Sequence, residues 1–191
     1  PPMARVMLRA FHYCDGFDAA GKPIYDWDSP RMKKLYRLLD YCQKRKITVI
    51  LGEWESPRDN GELADKALDK LQPLGMGEND PRWHRLIADC LEHLLDEKHY
   101  TCIKYYNLIN EPNGSWSGVA DFGRWQAAMK SFHAELKKRG LLKQISLIGP
   151  DACQIEDSWW LDFTVRKCAS LIGLYDLHLY AKPGDGECDG V

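Results

Sequence analysis

The sequence predicts an α/β protein built around a parallel β-sheet. Five runs of β-branched and apolar residues alternate with segments of helical period, and no hairpin signal separates them. Near-continuous apolar runs are typical of parallel strands that are covered on both faces. Strands joined through helices form right-handed crossovers, so the pattern fits both an open doubly wound sheet and a (β/α)8 barrel. The predicted strands cover residues 5–11, 47–52, 103–109, 145–149 and 172–178.

Start and stop signals define the helices between these strands. Ser29 and Asp80 each precede a proline, which places an N-cap residue before a proline at the first helical position. Asp121 opens a third helix, which ends in three cations and Gly140, a typical C-terminal signature. Two weaker helical segments are predicted at residues 158–168 and 63–71.

The composition is that of an ordinary globular protein. Hydrophobic residues make up 45% of the 191 residues and charged residues 28%, which excludes disorder and collagen. No apolar run approaches the roughly 18 residues that a membrane span needs. The net charge of −2 gives no basis for binding nucleic acid or an anionic membrane surface. We expect one domain, residues 1–191, with both ends truncated, so that the chain is part of a longer protein.

Cysteines and nucleotide motifs exclude several classes of site. The seven cysteines are odd in number and none has C-x-x-C spacing, so we expect buried free thiols rather than a zinc site or a disulfide framework. No G-x-G-x-x-G or P-loop motif occurs, so a nucleotide-binding sheet lacks its usual evidence. The sequence therefore suggests neither a metal nor an organic cofactor.

Candidate functional residues follow the predicted strands. In both architectures, chemistry gathers at the carboxyl ends of the strands. Carboxylates and aromatic side chains together provide the acid/base groups, the hydrogen-bond partners for hydroxyl groups and the stacking surfaces that binding and cleavage of a neutral sugar require. Glu53 and Glu55 are two residues apart and face the same way on an extended chain, as substrate ligands or as a second carboxylate. The candidates at these strand ends are His12, Glu53, Trp54, Glu55, Asn110, Glu111, Trp116, His178 and Tyr180.

One of these segments resembles a known family. Residues 106–112 read Tyr-Asn-Leu-Ile-Asn-Glu-Pro, which resembles the strand-four signature of clan A retaining glycoside hydrolases of the family 5 and 39 type. These enzymes are (β/α)8 TIM barrels. The resemblance implies that Glu111 is the general acid/base and that Asn110 binds the sugar 2-hydroxyl. It also implies that roughly strands 2 to 6 of the barrel are present.

The register of the other strands extends the resemblance. If residues 103–109 are strand four, Arg9 matches an arginine of strand two that contacts the nucleophile in this clan. His178 and Tyr180 then match the His-x-Tyr of strand six. At strand three, where many members have a histidine, this sequence has Gly52-Glu53-Trp54-Glu55. The resemblance therefore identifies a clan but not its substrate.

The resemblance implies a retaining glycoside hydrolase that cleaves a β-linked glycoside or polysaccharide by double displacement. In this clan the nucleophile follows strand seven, so we expect it outside this chain, on missing strands from the rest of the protein or from a partner chain. His12 lies at the expected barrel mouth, and Trp54 and Trp116 are expected to stack on sugar. The family resemblance alone favours a secreted or periplasmic protein.

Two other functions fit the same residues. A carbohydrate-binding relative that has lost a catalytic carboxylate would keep the cleft, and the presence of a glutamate after strand seven separates the two. A metal-dependent barrel lyase or isomerase would need His12, Glu53 and His178 to converge on one ion.

Overall fold

The computed structural model describes residues 2–54, 76–153 and 157–179. The strands are β1 Met3–Leu8, β2 Cys14–Phe17, β3 Pro23–Tyr25, β4 Thr48–Glu53, β5 Ile103–Asn107, β6 Ser146–Cys153 and β7 Ile172–His178. The helices are α1 Pro30–Lys44, α2 Pro81–Glu92, α3 Phe122–Arg139 and α4 Trp159–Cys168. No helix within these described ranges is long and apolar enough to cross a membrane.

One parallel sheet organises the chain. Its strand order is β1-β4-β5-β6-β7, and each strand pairs in parallel with the next one in this order. A doubly wound sheet reverses its order at a switch point, whereas a barrel is wound in one direction. The order therefore confirms the barrel-type α/β fold and excludes the doubly wound alternative. In the part of the chain that the structure describes, the sheet is open and does not close into a barrel.

The helices begin where the capping signals predict. Ser29 Oγ accepts a hydrogen bond from Met32 N at 3.0 Å, and Asp80 and Asp121 cap α2 and α3 in the same way. Gly140 ends α3 at a φ of 77°, a left-handed conformation that glycine adopts without strain. The helix predicted at residues 63–71 lies outside the described residues.

A hairpin interrupts the predicted alternation of strands and helices. Strands β2 and β3 pair antiparallel, so the prediction of no hairpin is wrong. Asp18 Oδ1 closes the turn by accepting from Ala20 N at 2.9 Å and from Lys22 N at 2.8 Å. Strand β1 also ends earlier than predicted, at Leu8, because Ala10–His12 forms a turn of 3₁₀-helix.

The hydrophobic core lies between the sheet and its helices. Trp83 of α2 and Trp125 of α3 are each 1% exposed and pack in this core. At the start of α4, Trp160 is buried and Trp159 is 42% exposed. The cysteines in the described ranges are free and buried: Cys14, Cys42, Cys90, Cys102, Cys153 and Cys168.

Candidate active site

The two faces of the sheet carry different chemistry. Side chains alternate between the faces along a strand, and register partners in a parallel sheet point the same way. Leu51 is fully buried in the core, so its neighbours Ile50 and Gly52 face away from the helices. Register pairs Ile50 with Arg5 and Gly52 with Asn107. Arg5 and Asn107 therefore share the face opposite the helices, which we call the site face.

Gly52 lets β5 carry a functional side chain at this point. A Cβ atom at Gly52 would lie 2.6 Å from the Asn107 carbonyl oxygen and 2.7 Å from the Asn107 Cβ, closer than such atoms approach. The glycine thus allows Asn107 to lie against β4 on the site face.

Asp151 binds three groups at the carboxyl end of β6. Its Oδ2 accepts from Arg5 Nη2 at 2.5 Å, from Asn107 Nδ2 at 2.6 Å and from the Glu111 backbone N–H at 3.3 Å. Asp151 is fully buried. Because a buried carboxylate is stable only when donors and a cation surround it, these contacts fix Arg5, β5 and the Glu111 backbone to one point.

Asp176 of β7 lies next to this carboxylate. Its Oδ1 accepts from the Asp151 N–H at 3.0 Å. Burial, and then the charge of Asp151, raises the pKa of Asp176 to about 8. Burial also acts to raise the pKa of Asp151, but hydrogen bonds from His178 and Asp176 and the charge of Arg5 hold it below its usual value. At neutral pH the pair therefore shares one proton, held mainly by Asp176.

Glu111 is held from two sides at the end of the β5 loop. Its Oε1 lies 2.8 Å from His178 Nδ1, and its Oε2 accepts from Trp116 Nε1 at 2.9 Å. The Glu111 backbone has a φ of 45°, a left-handed conformation that costs energy for a residue with a side chain. Asp151, which binds the Glu111 N–H, also has a positive φ of 58°. Strained backbone of this kind concentrates at functional sites, where the surrounding contacts hold it in place.

His178 links the two carboxylates. Its Nε2 lies 2.9 Å from both Arg5 Nη1 and Asp151 Oδ1. A neutral ring with its hydrogen on Nδ1 donates to Glu111 and accepts from Arg5, whereas a protonated ring donates to Glu111 and to Asp151 and no longer accepts from Arg5. Hydrogen bonding to Asp151 raises the pKa of His178 more than burial lowers it, and the hydrogen bond to Glu111 adds to the rise.

Two asparagines position the loop that carries Glu111. Asn110 Oδ1 accepts from Arg5 Nη2 at 2.9 Å, and the Asn110 N–H donates to the Glu53 carbonyl at 3.1 Å. Asn113 Nδ2 donates to the Cys153 carbonyl at 2.7 Å, and Asn113 Oδ1 accepts from the Cys153 N–H at 2.9 Å. The loop is thereby fixed to β1, β4 and β6 at once.

Trp116 contacts the candidate acid directly. Its indole N–H binds Glu111, its ring packs so closely over Gly114 that a side chain there would collide with it, and the residue is 41% exposed. The sequence predicts Trp116 as a stacking platform, and the structure adds a hydrogen bond that the sequence does not indicate.

Arg5, not Arg9, occupies the arginine position of this network. Arg9 follows the end of β1, and its guanidinium lies over the Phe11 ring, 5.8 Å from the centroid. The prediction is wrong because it extends the strand to residue 11 and so places Arg9 within it. Arg5 and Arg9 are four residues apart, so both would point to the same face of a strand that reached residue 11. The observed end of β1 at Leu8 is what excludes Arg9 from the strand.

Glu53 lies away from the site face. It is 2% exposed and accepts from the hydroxyl groups of Tyr106 at 3.2 Å and Tyr13 at 3.4 Å. Glu53 lies two residues after Leu51 on β4, so both side chains point to the face that packs against the helices. The expectation of a substrate ligand at Glu53 is therefore corrected to a buried structural carboxylate.

The remaining candidates separate into two groups. His12 and Trp54 line a second cleft at the ends of β1 and β4. Glu55 and Tyr180 lie outside the described residues. In residues 2–54, 76–153 and 157–179, no three His, Cys, Asp or Glu side chains are grouped so that they could hold a metal ion.

Comparisons with known proteins agree with this geometry at the level of fold. No protein-family model and no curated protein matches the sequence. Among solved structures, a GH39 enzyme from Xanthomonas axonopodis pv. citri matches 93% of this chain and 40% of its own, with 17% identity and a TM-score of 0.57. The catalytic domain of GH30 xylanase C from Talaromyces cellulolyticus matches 93% of this chain and 43% of its own, with 14% identity and a TM-score of 0.58.

A third structure gives the same result. GH26C from Muricauda sp. MAR_2010_75 matches 95% of this chain and 51% of its own, with 9% identity and a TM-score of 0.58. The chain is a partial fold relative of these glycoside hydrolases. It spans about half of their length or less, and the clan A resemblance drawn from the sequence is confirmed for the fold.

Proposed function

We propose that this chain is the acid/base part of a retaining glycoside hydrolase that cleaves a β-linked glycoside or polysaccharide, with Glu111 as the general acid/base. The observation that carries the proposal is the double support of Glu111 at the end of β5, by His178 on one oxygen and Trp116 on the other. The fold shared with glycoside hydrolases supports it, since that fold carries chemistry at the carboxyl ends of its strands.

The proposed reaction is a double displacement. Glu111 gives its proton to the glycosidic oxygen while a second carboxylate attacks the anomeric carbon and forms a glycosyl-enzyme intermediate. Glu111 then takes a proton from water, which attacks the intermediate and releases the sugar. The hydrogen bonds to His178 and Trp116 hold the Glu111 side chain in position through both steps.

The attacking carboxylate is proposed to lie outside this chain. Asp151 is fully buried and binds Arg5 and Asn107, so it cannot reach a sugar. Asp176 is the neighbour that shares its proton. The proposal therefore takes the nucleophile from further barrel strands, supplied by additional sequence or by a partner chain, and expects the 191 residues alone to be inactive.

Substrate contacts are proposed for groups beside Glu111. Asn110 Oδ1 accepts from Arg5, which directs the amide Nδ2 to donate to a sugar hydroxyl. The partly exposed ring of Trp116 offers an apolar surface beside the acid. The substrate is therefore an oligosaccharide or polysaccharide, and no step requires a metal or an organic cofactor.

The stereochemistry of the product tests this proposal. The assembled hydrolase, with its remaining strands, is incubated with a β-linked oligosaccharide and the first-formed anomer is observed by ¹H NMR. Release of the β-anomer is expected, and loss of turnover in Glu111→Gln but not in Glu97→Gln, whose glutamate is exposed and outside the site. Release of the α-anomer would contradict the retaining mechanism. Saccharide binding without hydrolysis would indicate the non-catalytic relative.

A further inference from the structure

Asp151 takes no part in the proposed reaction, yet three routes of hydrogen bonds connect it to Glu111. It lies near the carboxyl end of β6, and its side chain is 0% exposed. A buried carboxylate is costly to the fold even where donors surround it. The routes run through the Glu111 backbone, through the Glu111 side chain and through the chain that leads into Glu111.

The first route holds the backbone of Glu111. Asp151 Oδ2 accepts from the Glu111 N–H at 3.3 Å, and the Glu111 carbonyl accepts from the Gly114 N–H at 3.0 Å. The φ of 45° at Glu111 determines the direction in which its side chain leaves the chain. A left-handed conformation of this kind persists only where the surrounding contacts hold it. Asp151 therefore helps to set where the Glu111 carboxyl group points.

The second route holds the carboxyl group of Glu111 through the ring of His178. Asp151 Oδ1 lies 2.9 Å from His178 Nε2, and Glu111 Oε1 lies 2.8 Å from His178 Nδ1. The partner of one ring nitrogen sets the orientation and the protonation of the other. Arg5 binds Asp151 and also lies 2.9 Å from His178 Nε2. Loss of Asp151 would thus remove one partner of the ring and release the arginine that is another.

The third route holds the chain that leads into Glu111. Asn107 Nδ2 donates to Asp151 Oδ2 at 2.6 Å, and Asn107 Oδ1 accepts from the Ile109 N–H at 3.3 Å. Asn107 thereby ties the end of β5 and the following loop to Asp151. Hydrogen bonds in a buried network of low dielectric are strong and hold a single geometry. All three routes meet at the two oxygens of one carboxylate.

We propose that Asp151 is the positioning residue of the acid/base in the proposed hydrolase. It touches no substrate, and it holds the Glu111 carboxyl group where that group can give its proton to the glycosidic oxygen. The inference rests on the proposed function and adds a residue on which that function depends. A displacement of about 1 Å at a reacting group lowers the rate roughly 10²-fold, so the loss of such positioning is measurable.

Leaving-group dependence separates positioning from a purely structural role. The assembled hydrolase is assayed on a β-linked oligosaccharide and on the 2,4-dinitrophenyl β-glycoside of the same sugar, whose leaving group needs no proton. Asp151→Ala should lower kcat on the oligosaccharide by about 10- to 100-fold with little change in KM. The same variant should lower the glycosylation rate on the aryl glycoside far less.

Two further variants control this comparison. Asp151→Asn keeps the size of the side chain and an oxygen for the Glu111 N–H, so its loss should be smaller than that of Asp151→Ala and equally selective. Asp162→Ala changes a carboxylate of α4 whose side chain is 51% exposed, and it should match the wild type on both substrates. Urea unfolding checks that each variant is folded, and where Asp151→Ala is not, Asp151→Asn replaces it in every comparison.

A double variant tests whether Asp151 acts through Glu111. Glu111→Gln combined with Asp151→Ala should lose no more activity on the oligosaccharide than Glu111→Gln alone, because the acid that Asp151 positions is already absent. Losses that multiply in the double variant would overturn the proposal.

The outcomes distinguish the positioning role from the hydrolase function. A selective loss in Glu111→Gln together with equal losses of Asp151→Ala on the two substrates would overturn the positioning role alone. Equal losses on the two substrates in Glu111→Gln itself would overturn the acid/base assignment, and this inference with it.

Discussion

His178 Nδ1 lies 2.8 Å from Glu111 Oε1, and this hydrogen bond connects the carboxyl group of the candidate acid to a buried ionic network. The other nitrogen of the ring lies 2.9 Å from Asp151 Oδ1. Among the described residues, no group forms a hydrogen bond of good geometry with Asp151 Oδ1. A hydrogen on His178 Nε2 would be in position to bind this oxygen. The protonation of His178 therefore affects both carboxylates at once.

Replacing His178 with Gln should destabilise the chain most at low pH. The pKa of His178 is raised in the folded protein, so its stabilising contribution is fully present below the unfolded value of about 6.5 and is lost as pH rises through the folded value. The loss of unfolding free energy in His178→Gln should therefore be larger at pH 5.5 than at pH 8.5. Urea unfolding across this range measures it, with His133→Gln as a contrasting control, because burial lowers the pKa of His133 and its replacement should cost no more at low pH than at high pH. A loss that grows with pH would contradict the ion pair with Asp151.

Replacing Asp176 with Asn should also favour the variant over wild type as the pH rises, the same direction as for His178→Gln. Its folded pKa of about 8 lies above the unfolded value of about 3.9, so the wild type loses stability as pH rises between these values. The amide keeps the acceptor for the Asp151 N–H and carries no charge. Asp176→Asn should therefore gain stability relative to wild type from pH 4 to pH 8, by at most about 1.4 kcal/mol per pH unit.

Asp28→Asn serves as the control for this series, because Asp28 is 90% exposed in its side chain and lies far from the pair in sequence. Its stability difference from wild type should vary little with pH. A pH-independent difference for Asp176→Asn as well would show that the two carboxyl groups do not share a proton.

Replacing Arg5 with Gln should leave a buried charge without its cation. Arg5 binds both Asp151 and Asn110, and its side chain is 29% exposed while that of Asp151 is 0% exposed. Breaking a buried pair costs about 3–5 kcal/mol, and the partial exposure of Arg5 places the expected loss near or below 3 kcal/mol. Chemical denaturation of Arg5→Gln measures it. The double variant Arg5→Gln with Asp151→Asn should recover part of the loss, and no recovery would contradict the pairing.

Replacing Trp116 with Phe should separate its hydrogen bond to Glu111 from its proposed stacking on the sugar. Phenylalanine keeps an aromatic ring but lacks the N–H that binds Glu111. A hydrogen bond to a charged group contributes about 1.5–3 kcal/mol, so kcat of the assembled hydrolase should fall roughly 10- to 100-fold with little change in KM. Trp159→Phe, which changes an exposed tryptophan of α4, should leave both constants unchanged. A rise in KM alone would assign Trp116 to sugar stacking only.

Local signals in the sequence predict much of the fold. The caps at Ser29, Asp80 and Asp121 are short-range hydrogen bonds, so the sequence shows them directly. The end of β1 depends on longer-range contacts, such as the hydrogen bond from Ser29 Oγ to the His12 carbonyl at 2.6 Å. No local pattern contains that contact, so the sequence predicts a strand that is too long.

The candidate site is predicted only where one strand end carries the signal. Asn110 and Glu111 directly follow the predicted strand 103–109, and the motif identifies them. Asp151 also lies at a strand end, but its importance comes from partners on β1, β5 and β7, which only the pairing of strands brings together. Glu53 also lies at a strand end, but its side chain is buried away from the site. The face of β4 to which it points depends on the strand register, which the sequence alone does not give.

The leaving-group dependence of Glu111→Gln tests the central claim most directly. A general acid matters when the leaving group needs a proton and matters little when it does not. In the assembled hydrolase, Glu111→Gln should lower kcat/KM by about 10²–10⁴-fold on an oligosaccharide and far less, in the glycosylation step, on a dinitrophenyl glycoside. An equal loss on both substrates would contradict the assignment of Glu111 as the general acid/base.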